Sequence, residues 1–341
     1  MHLTMGPEFS TLQQYVKKFS RSPLQQNAFY ESDCELLALP TGGTLAVTVD
    51  AISEEIIHSL YQDPYTMGWV CAAASFSDLA ACAATPLGLL FSSQWGQDCT
   101  ESMKHGIYEG FHDALYANGT HLLGGDTGNA QHTILTSVGL GLCATPPLQR
   151  MGIQAGDYAV VFGLTGIGPC LAYRCLLGLP VNSFPESLYR PQVPWQQLHA
   201  ARPYLRAMMD TSDGVLSTLH TLCALNRVGF HWKWDETTIS PVAHAFACAH
   251  TIPLFSLMIA EHGDFLQMAC VREADLAHVQ AHATIHILGQ FTETPEIQLQ
   301  TEKGLFLPSL ENAHLLHATP TSEWPRVCAQ LLASLRESGY P

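Results

Sequence analysis

The sequence predicts a mixed α+β protein of two domains, and three observations carry that prediction. Strand-like and helix-like patterns mix in both halves of the chain, which defines an α+β or α/β class. Pro146-Pro147 breaks the pattern near the middle, and the stretch through Gly156 reads as a domain boundary. A chain of 341 residues is long enough for two domains with ample core.

The elements follow in order. Residues 8–20 read as a helix with Phe9, Leu12, Tyr15, Val16 and Phe19 on one stripe. Residues 44–50 alternate as a strand ending on Asp50. Residues 65–82 form a long helix rich in small residues, containing Asp78 and suited to close packing on a sheet. A strand is expected at 86–95, a helix at 100–118, a short strand at 120–124 ending at Gly124-Gly125-Asp126, and a strand at 132–143. After the boundary, Tyr158–Phe162 restarts as an apolar strand, followed by a glycine-rich turn and a helix near 168–178. Residues 180–197 carry four prolines and read as an irregular loop. A helix is expected at 212–225, strands at 228–234, 265–271 and 285–291, and an amphipathic helix at 324–336.

Composition narrows the function. Hydrophobic residues make up 47% and charged residues 13%, so the chain is globular rather than disordered. The formal net charge of −15 argues against nonspecific nucleic-acid or anionic-membrane binding. Phosphate ligands stay open, because a bound Mg²⁺ reverses the local sign. The eleven cysteines are scattered and odd in number, which fits reduced thiols in a cytoplasm. The first residues show no basic region followed by an apolar run, so no signal peptide is read. No apolar stretch reaches the roughly 20 residues of a membrane span.

Six aspartates carry the chemistry: Asp33, Asp50, Asp78, Asp126, Asp210 and Asp213. Most are flanked by small or apolar residues, and a carboxylate in such surroundings is costly to bury without a partner. Basic residues are few, so a metal is the natural partner, and Mg²⁺ prefers oxygen ligands. Singly, each has a plain reading as a turn, loop or surface charge. Together they recur at strand ends and helix starts, where a fold can gather carboxylates for a Mg²⁺–nucleotide site. No P-loop or protein-kinase motif set is present. The run Gly163-Leu-Thr-Gly166-Ile-Gly168 either cradles an anion on free N–H groups or simply packs a strand against a helix. His278 and His282, spaced i, i+4, could pair on a metal, but no third ligand is evident; His286 belongs to the next strand.

In order along the chain, these motifs resemble bacterial thiamine-monophosphate kinase. That family belongs to the PurM-like superfamily of aminoimidazole-ribonucleotide synthetase, selenophosphate synthetase and hydrogenase-maturation proteins. The resemblance spans about residues 8–292. It rests on Glu31-Ser32-Asp33-Cys34, Thr48-Val49-Asp50, Ser75-Phe76-Ser77-Asp78-Leu79-Ala80-Ala81, Gly124-Gly125-Asp126-Thr127, Arg150 before Gly156-Asp157, and Asp210-Thr211-Ser212-Asp213-Gly214. It implies an α+β, two-domain PurM-like fold. Residues 1–147 would bind ATP and Mg²⁺ and form a barrel across a homodimer, and residues 148–341 would be an α/β domain. It implies Mg²⁺ on Asp33, Thr48, Asp50, Asp78, Asp126, Asp210 and Asp213, with Asp78, Asp126 and Asp210 central to catalysis. ATP would touch Gly125, Arg150 and Ser212, and the acceptor would meet His58 and Asp264. The acceptor's own phosphate would attack the γ-phosphoryl group, so no protein nucleophile is required.

Departures from the family pattern cluster on the acceptor side. Ser32 replaces an acid, Val49 replaces a threonine, and Gly128-Asn129 replaces a more polar or basic pair. Gly263, in Glu261-His262-Gly263-Asp264, stands where the family has a substrate-side glutamate, and His58 falls one residue late. The expectation is a kinase with an altered acceptor, a phosphorylated heterocycle or secondary metabolite. The competing reading of Gly263 is that Glu261 compensates. Two other functions compete: a synthetase that activates an amide or carbonyl oxygen and releases phosphate, and an inactive nucleotide-binding homologue.

Overall fold

Alternating burial in the first half of the chain builds one sheet, and near-continuous apolar strands in the second half build another. The computed structural model describes residues 7–16, 18–143, 146–308 and 323–341. The segment read for a signal peptide lies in part outside the described residues, as does the side chain of Leu12.

The first half runs α1 (Pro7–Val16), β1 (Glu35–Ala38), β2 (Thr44–Ala51), α2 (Ser53–Ile57), α3 (Pro64–Ala81), β3 (Ala84–Trp95), α4 (Glu101–Ala117), β4 (Leu122–Asn129) and β5 (Ile134–Cys143). Its five strands lie in the order β1-β2-β5-β3-β4, antiparallel except for β3 beside β4. The second half runs β6 (Tyr158–Val161), α5 (Ile167–Leu176), α6 (Trp195–Ala201), β7 (Leu205–Asp210), α7 (Val215–Asn226), β8 (Gly229–Lys233), α8 (Pro241–Ala249), α9 (Ser256–Ile259), β9 (Gln267–Val271), α10 (Leu276–His282), β10 (His286–Thr292), β11 (Ile297–Thr301), β12 (Gly304–Phe306) and α11 (Trp324–Glu337). Its seven strands lie in the order β12-β11-β8-β10-β6-β9-β7. Neither sheet closes into a barrel among the described residues.

α3 joins the two halves. Asp63 caps its N-terminus by accepting from the Thr66 N–H at 3.1 Å. Its small side chains let it lie close to β2, β3 and β5 while also touching β7 and β9 of the second sheet. Against α4 it packs through glycine: a Cβ on Gly68 would stand 1.9 Å from the Ile107 carbonyl oxygen, and one on Gly110 2.0 Å from that of Tyr65. A buried clamp holds the start of α3. The Glu186 carboxylate accepts from the Gln62 N–H at 3.0 Å and the Asp63 N–H at 2.9 Å, and pairs with Arg174 of α5 at 3.2 Å.

Several boundaries differ from expectation. β4 runs past Gly124 to Asn129, so the Gly-Gly-Asp motif lies inside a strand rather than at its end. α7 begins at Val215, because Gly214 takes a φ of 85° and turns the chain first. The proline-rich stretch holds two short 3-10 turns and then α6, starting after Pro194. The first-helix stripe is only partly covered: Phe9 packs on Phe29 and Tyr30, while Tyr15 is 61% and Phe19 74% exposed. No helix among the described residues is long and apolar enough to cross a membrane.

Candidate active site

Three carboxylates meet where α3 crosses from one sheet to the other. Asp33 sits in the turn before β1, Asp78 in the last turn of α3, and Asp210 at the end of β7. One oxygen from each lies within 4.8 Å of the others. Hydroxyls orient them: Thr48 donates to Asp78, Ser77 donates to Asp210, and Ser212 Oγ donates to Asp210 Oδ1 at 3.0 Å. Asp33 is held by the fork of Arg150, Nη2 to Oδ1 at 3.1 Å and Nε to Oδ2 at 3.3 Å. The Arg150 guanidinium also lies 4.6 Å over the Tyr30 ring.

The electrostatics call for a cation. Burial, then Asp50, Asp210 and Asp33, push the Asp78 carboxyl far above its usual range. Burial and Asp33 push Asp210 up to about 7. Asp213 adds to the field at Asp210, so Asp50 and Asp213 flank the trio. Arg150 alone does not balance these carboxylates. The donors are all oxygen, which fits Mg²⁺ rather than a thiophilic metal.

Not every expected residue joins this cluster. Gly125 and Asp126 lie exposed on the edge strand β4, outside the trio. Val49 is 66% exposed: strand alternation turns it to the open face of the sheet, away from Thr48 and Asp50. Ser32 turns inward, with its Oγ 3.1 Å from the Cys82 Sγ. Neither departure therefore removes an oxygen from the trio. His278 and His282 stack on Tyr204 at 4.8 and 5.8 Å, so packing accounts for their spacing. All eleven cysteines are free.

A pocket of about 140 Å³ opens between α2, α5 and α11, and Glu55 on its wall feels the charges of Asp213 and Asp50. His58 lines it and packs edge-on to Trp324, ring centroids 4.8 Å apart. Glu55, Glu261 and His262 line it too. His262 Nε2 is 3.2 Å from the Tyr61 hydroxyl, and burial lowers its pKa to about 4.

Asp264, expected to meet the acceptor, instead closes the glycine-rich turn from inside. Its carboxylate accepts from the Gly166 N–H at 2.6 Å and the Gly168 N–H at 2.7 Å. Burial raises it to about 6 against the lowering effect of those N–H groups. The anion that this glycine run cradles is therefore the protein's own. Gly263 is equally constrained: a Cβ there would lie 1.7 Å from the Thr211 carbonyl oxygen. Its N–H donates to Ser212 O at 2.7 Å, and its carbonyl accepts from the Tyr189 hydroxyl at 2.7 Å. No larger residue fits at 263, and the nearby pocket carboxylate is Glu261.

Sequence reasoning missed Ser77, Glu55 and Trp324. Ser77 was in view beside Asp78. Glu55 carried a weak signal, sitting three residues before His58 and so on its face of the turn. Trp324 enters the pocket from the far end of the chain and carried none.

Comparison with known proteins agrees with this architecture. Residues 31–143 match the family described as AIR synthase related protein, N-terminal domain. The thiamine-monophosphate kinase of Methanospirillum hungatei is 29% identical over 214 residues, covering 62% of this chain and 71% of its own. That of Synechococcus elongatus is 27% identical over 301 residues, covering 82% and 88%. A solved structure of AaThiL complexed with AMPPCP and TMP superposes with a TM-score of 0.73 at 17% identity, covering 90% of this chain and 99% of that one, which shows the fold. Residues 31–143 are thus similar to an AIR-synthase-related N-terminal domain, and the whole chain shares the fold of that solved structure. Over most of its length the chain is similar to thiamine-monophosphate kinases.

Proposed function

We propose that the protein is an ATP-dependent phosphotransferase acting on a small phosphorylated acceptor. The observation that carries this reading is the convergence of Asp33, Asp78 and Asp210 within 4.8 Å beside an open pocket. Names of the relatives support the same chemistry. Asp33, Asp78 and Asp210 hold Mg²⁺, with Thr48, Asp50, Asp213 and Asp126 contributing around them. When bound, Mg²⁺ neutralises the charge of the triphosphate. Ser212 and Arg150 meet the nucleotide from one side, and Gly125 meets it from β4. The Arg150 fork fixes Asp33 in direction. Thr48, Ser77 and Ser212 fix the other two carboxylates, so little rearrangement is required at reaction. An oxygen of the acceptor's phosphate attacks the γ-phosphorus in line, the bond to the β-phosphate oxygen breaks, and ADP leaves.

The acceptor is a phosphorylated heterocycle held between His58, Trp324 and Glu261. Because residue 263 has no side chain, it differs from thiamine monophosphate in the groups read there. The chain divides near residues 147/148, and it works as a homodimer. The open face of the five-stranded sheet supports this: Val49, Leu122, Leu123 and Leu142 are exposed there or at its edge. A second copy laid on that face would close a barrel.

Mass spectrometry of products from ATP and a panel of phosphorylated heterocycles, thiamine monophosphate included, tests the reading. A stable gain of one phosphoryl group supports the kinase. Loss of water with release of phosphate points to a synthetase. Turnover near the parent rate in Asp78→Asn with Asp126→Asn would overturn the metal assignment.

A further inference from the structure

We propose that Glu55 orients the acceptor by accepting a hydrogen bond from an N–H group on it, at the junction of the pocket and the carboxylate cluster. This rests on the kinase reading above and assigns one residue within it. Glu55 lines the pocket, yet its Oε2 is buried and has no hydrogen-bond partner among the described residues. A buried carboxylate oxygen without a donor is costly, so a purely structural role does not explain it. Its electrostatic neighbours are Glu54, Asp213 and Asp50, the last two flanking the metal-binding trio. Glu55 therefore stands between the phosphate-handling end and the pocket end of the site.

The walls define what this carboxylate meets. Leu60, Leu176, Ile259, Val327 and Trp324 supply an apolar and aromatic enclosure. Glu54 and Glu261 add two further carboxylates, and among the described residues no lysine or arginine lines the pocket. An anion is thus disfavoured in its depth, and the acceptor's phosphate must point toward the trio. The body that fits is a flat heterocycle carrying an amino or ring N–H. Burial places the Glu55 carboxyl at about 7, so a ligand donor is what would favour the ionised form at neutral pH. An analogue lacking that donor leaves the carboxylate buried and unpaired, which is a strong basis for rejection.

The test uses the full chain, the tightest-binding N–H-bearing member of the phosphorylated-heterocycle panel above (thiamine monophosphate included) as probe, and the variants Glu55→Gln and Glu55→Ala. Expected for Glu55→Ala is a loss of probe affinity of about 10- to 100-fold, with a smaller loss for Glu55→Gln, which keeps an acceptor oxygen. Stabilisation by Mg-AMPPCP should be unchanged in both. The ligand-free melting temperature of Glu55→Gln should equal or exceed that of the parent, because a buried unpaired charge is removed. A drop of several degrees in that variant would show a structural carboxylate and overturn the proposal. So would equal probe affinity in all three chains, or a parent that binds Mg-AMPPCP but no N–H-bearing member of the panel. A parent that fails to bind Mg-AMPPCP overturns the kinase reading itself, with Glu55 along with it.

Discussion

Single residues at the trio trade stability for ligand binding. Asp210 titrates at about 7 in the folded chain, against about 3.9 for an ordinary aspartate. The folded state therefore binds more protons between those values, and metal-free stability is lost as pH rises through about 7. His262 works the other way on the acid side. Held at about 4, it is protonated first in the unfolded chain, so stability also falls below about pH 6.5. In EDTA, the raised carboxyls Asp210, Glu55 and Asp264 outweigh His262, so the melting temperature should fall as pH rises toward about 7 and level off above it, and Mg²⁺ should restore it. Asp78→Asn should melt higher than the parent without metal at pH 8 and lose the Mg²⁺ response. A flat EDTA profile, or a less stable Asp78→Asn chain, would contradict this account. Asp78 was legible because its motif stands out in an apolar helix. That Ser77, one position earlier, turns to Asp210 across 133 residues was not legible, since no local pattern encodes it.

At the scale of elements, α3 is the part on which the site depends. It carries Asp78, spans both sheets, and starts where Glu186 binds the Gln62 and Asp63 N–H groups. Arg174 and Glu186 are buried together. Removing the acid leaves a guanidinium unpaired in the interior. Glu186→Ala should therefore cost about 3–5 kcal/mol in denaturant unfolding, and Glu186→Leu with Arg174→Leu should cost less than the single change. A loss below about 1 kcal/mol in the single variant would mean that water replaces the clamp. The helix itself was readable from its small residues, as were most strands. β1, β7, β11 and β12 were not. β1 and β12 are too short to show a period, and the mostly apolar run into Asp210, without alternation, fits a buried helix as well as a strand.

For the whole molecule, the unsettled surface is the open face of the five-stranded sheet. The proposed homodimer places a second copy there. Val49→Asp should shift the chain toward monomer in sedimentation and reduce turnover, while leaving the far-ultraviolet circular dichroism of the fold intact. An unchanged sedimentation coefficient would move the dimer contact elsewhere. The sequence by itself determined the mixed class, the order of the motifs and the identity of most acidic groups, because periodicity and local composition are short-range properties. Tertiary structure alone decided that Asp33, Asp78 and Asp210 meet while Asp126 stays on an exposed edge. It also decided that Asp264 serves the protein's own glycine turn, and that Glu55 faces a pocket closed by Trp324. Those outcomes depend on which distant segments pack together, and packing is a property of the assembled core that no stretch of sequence contains.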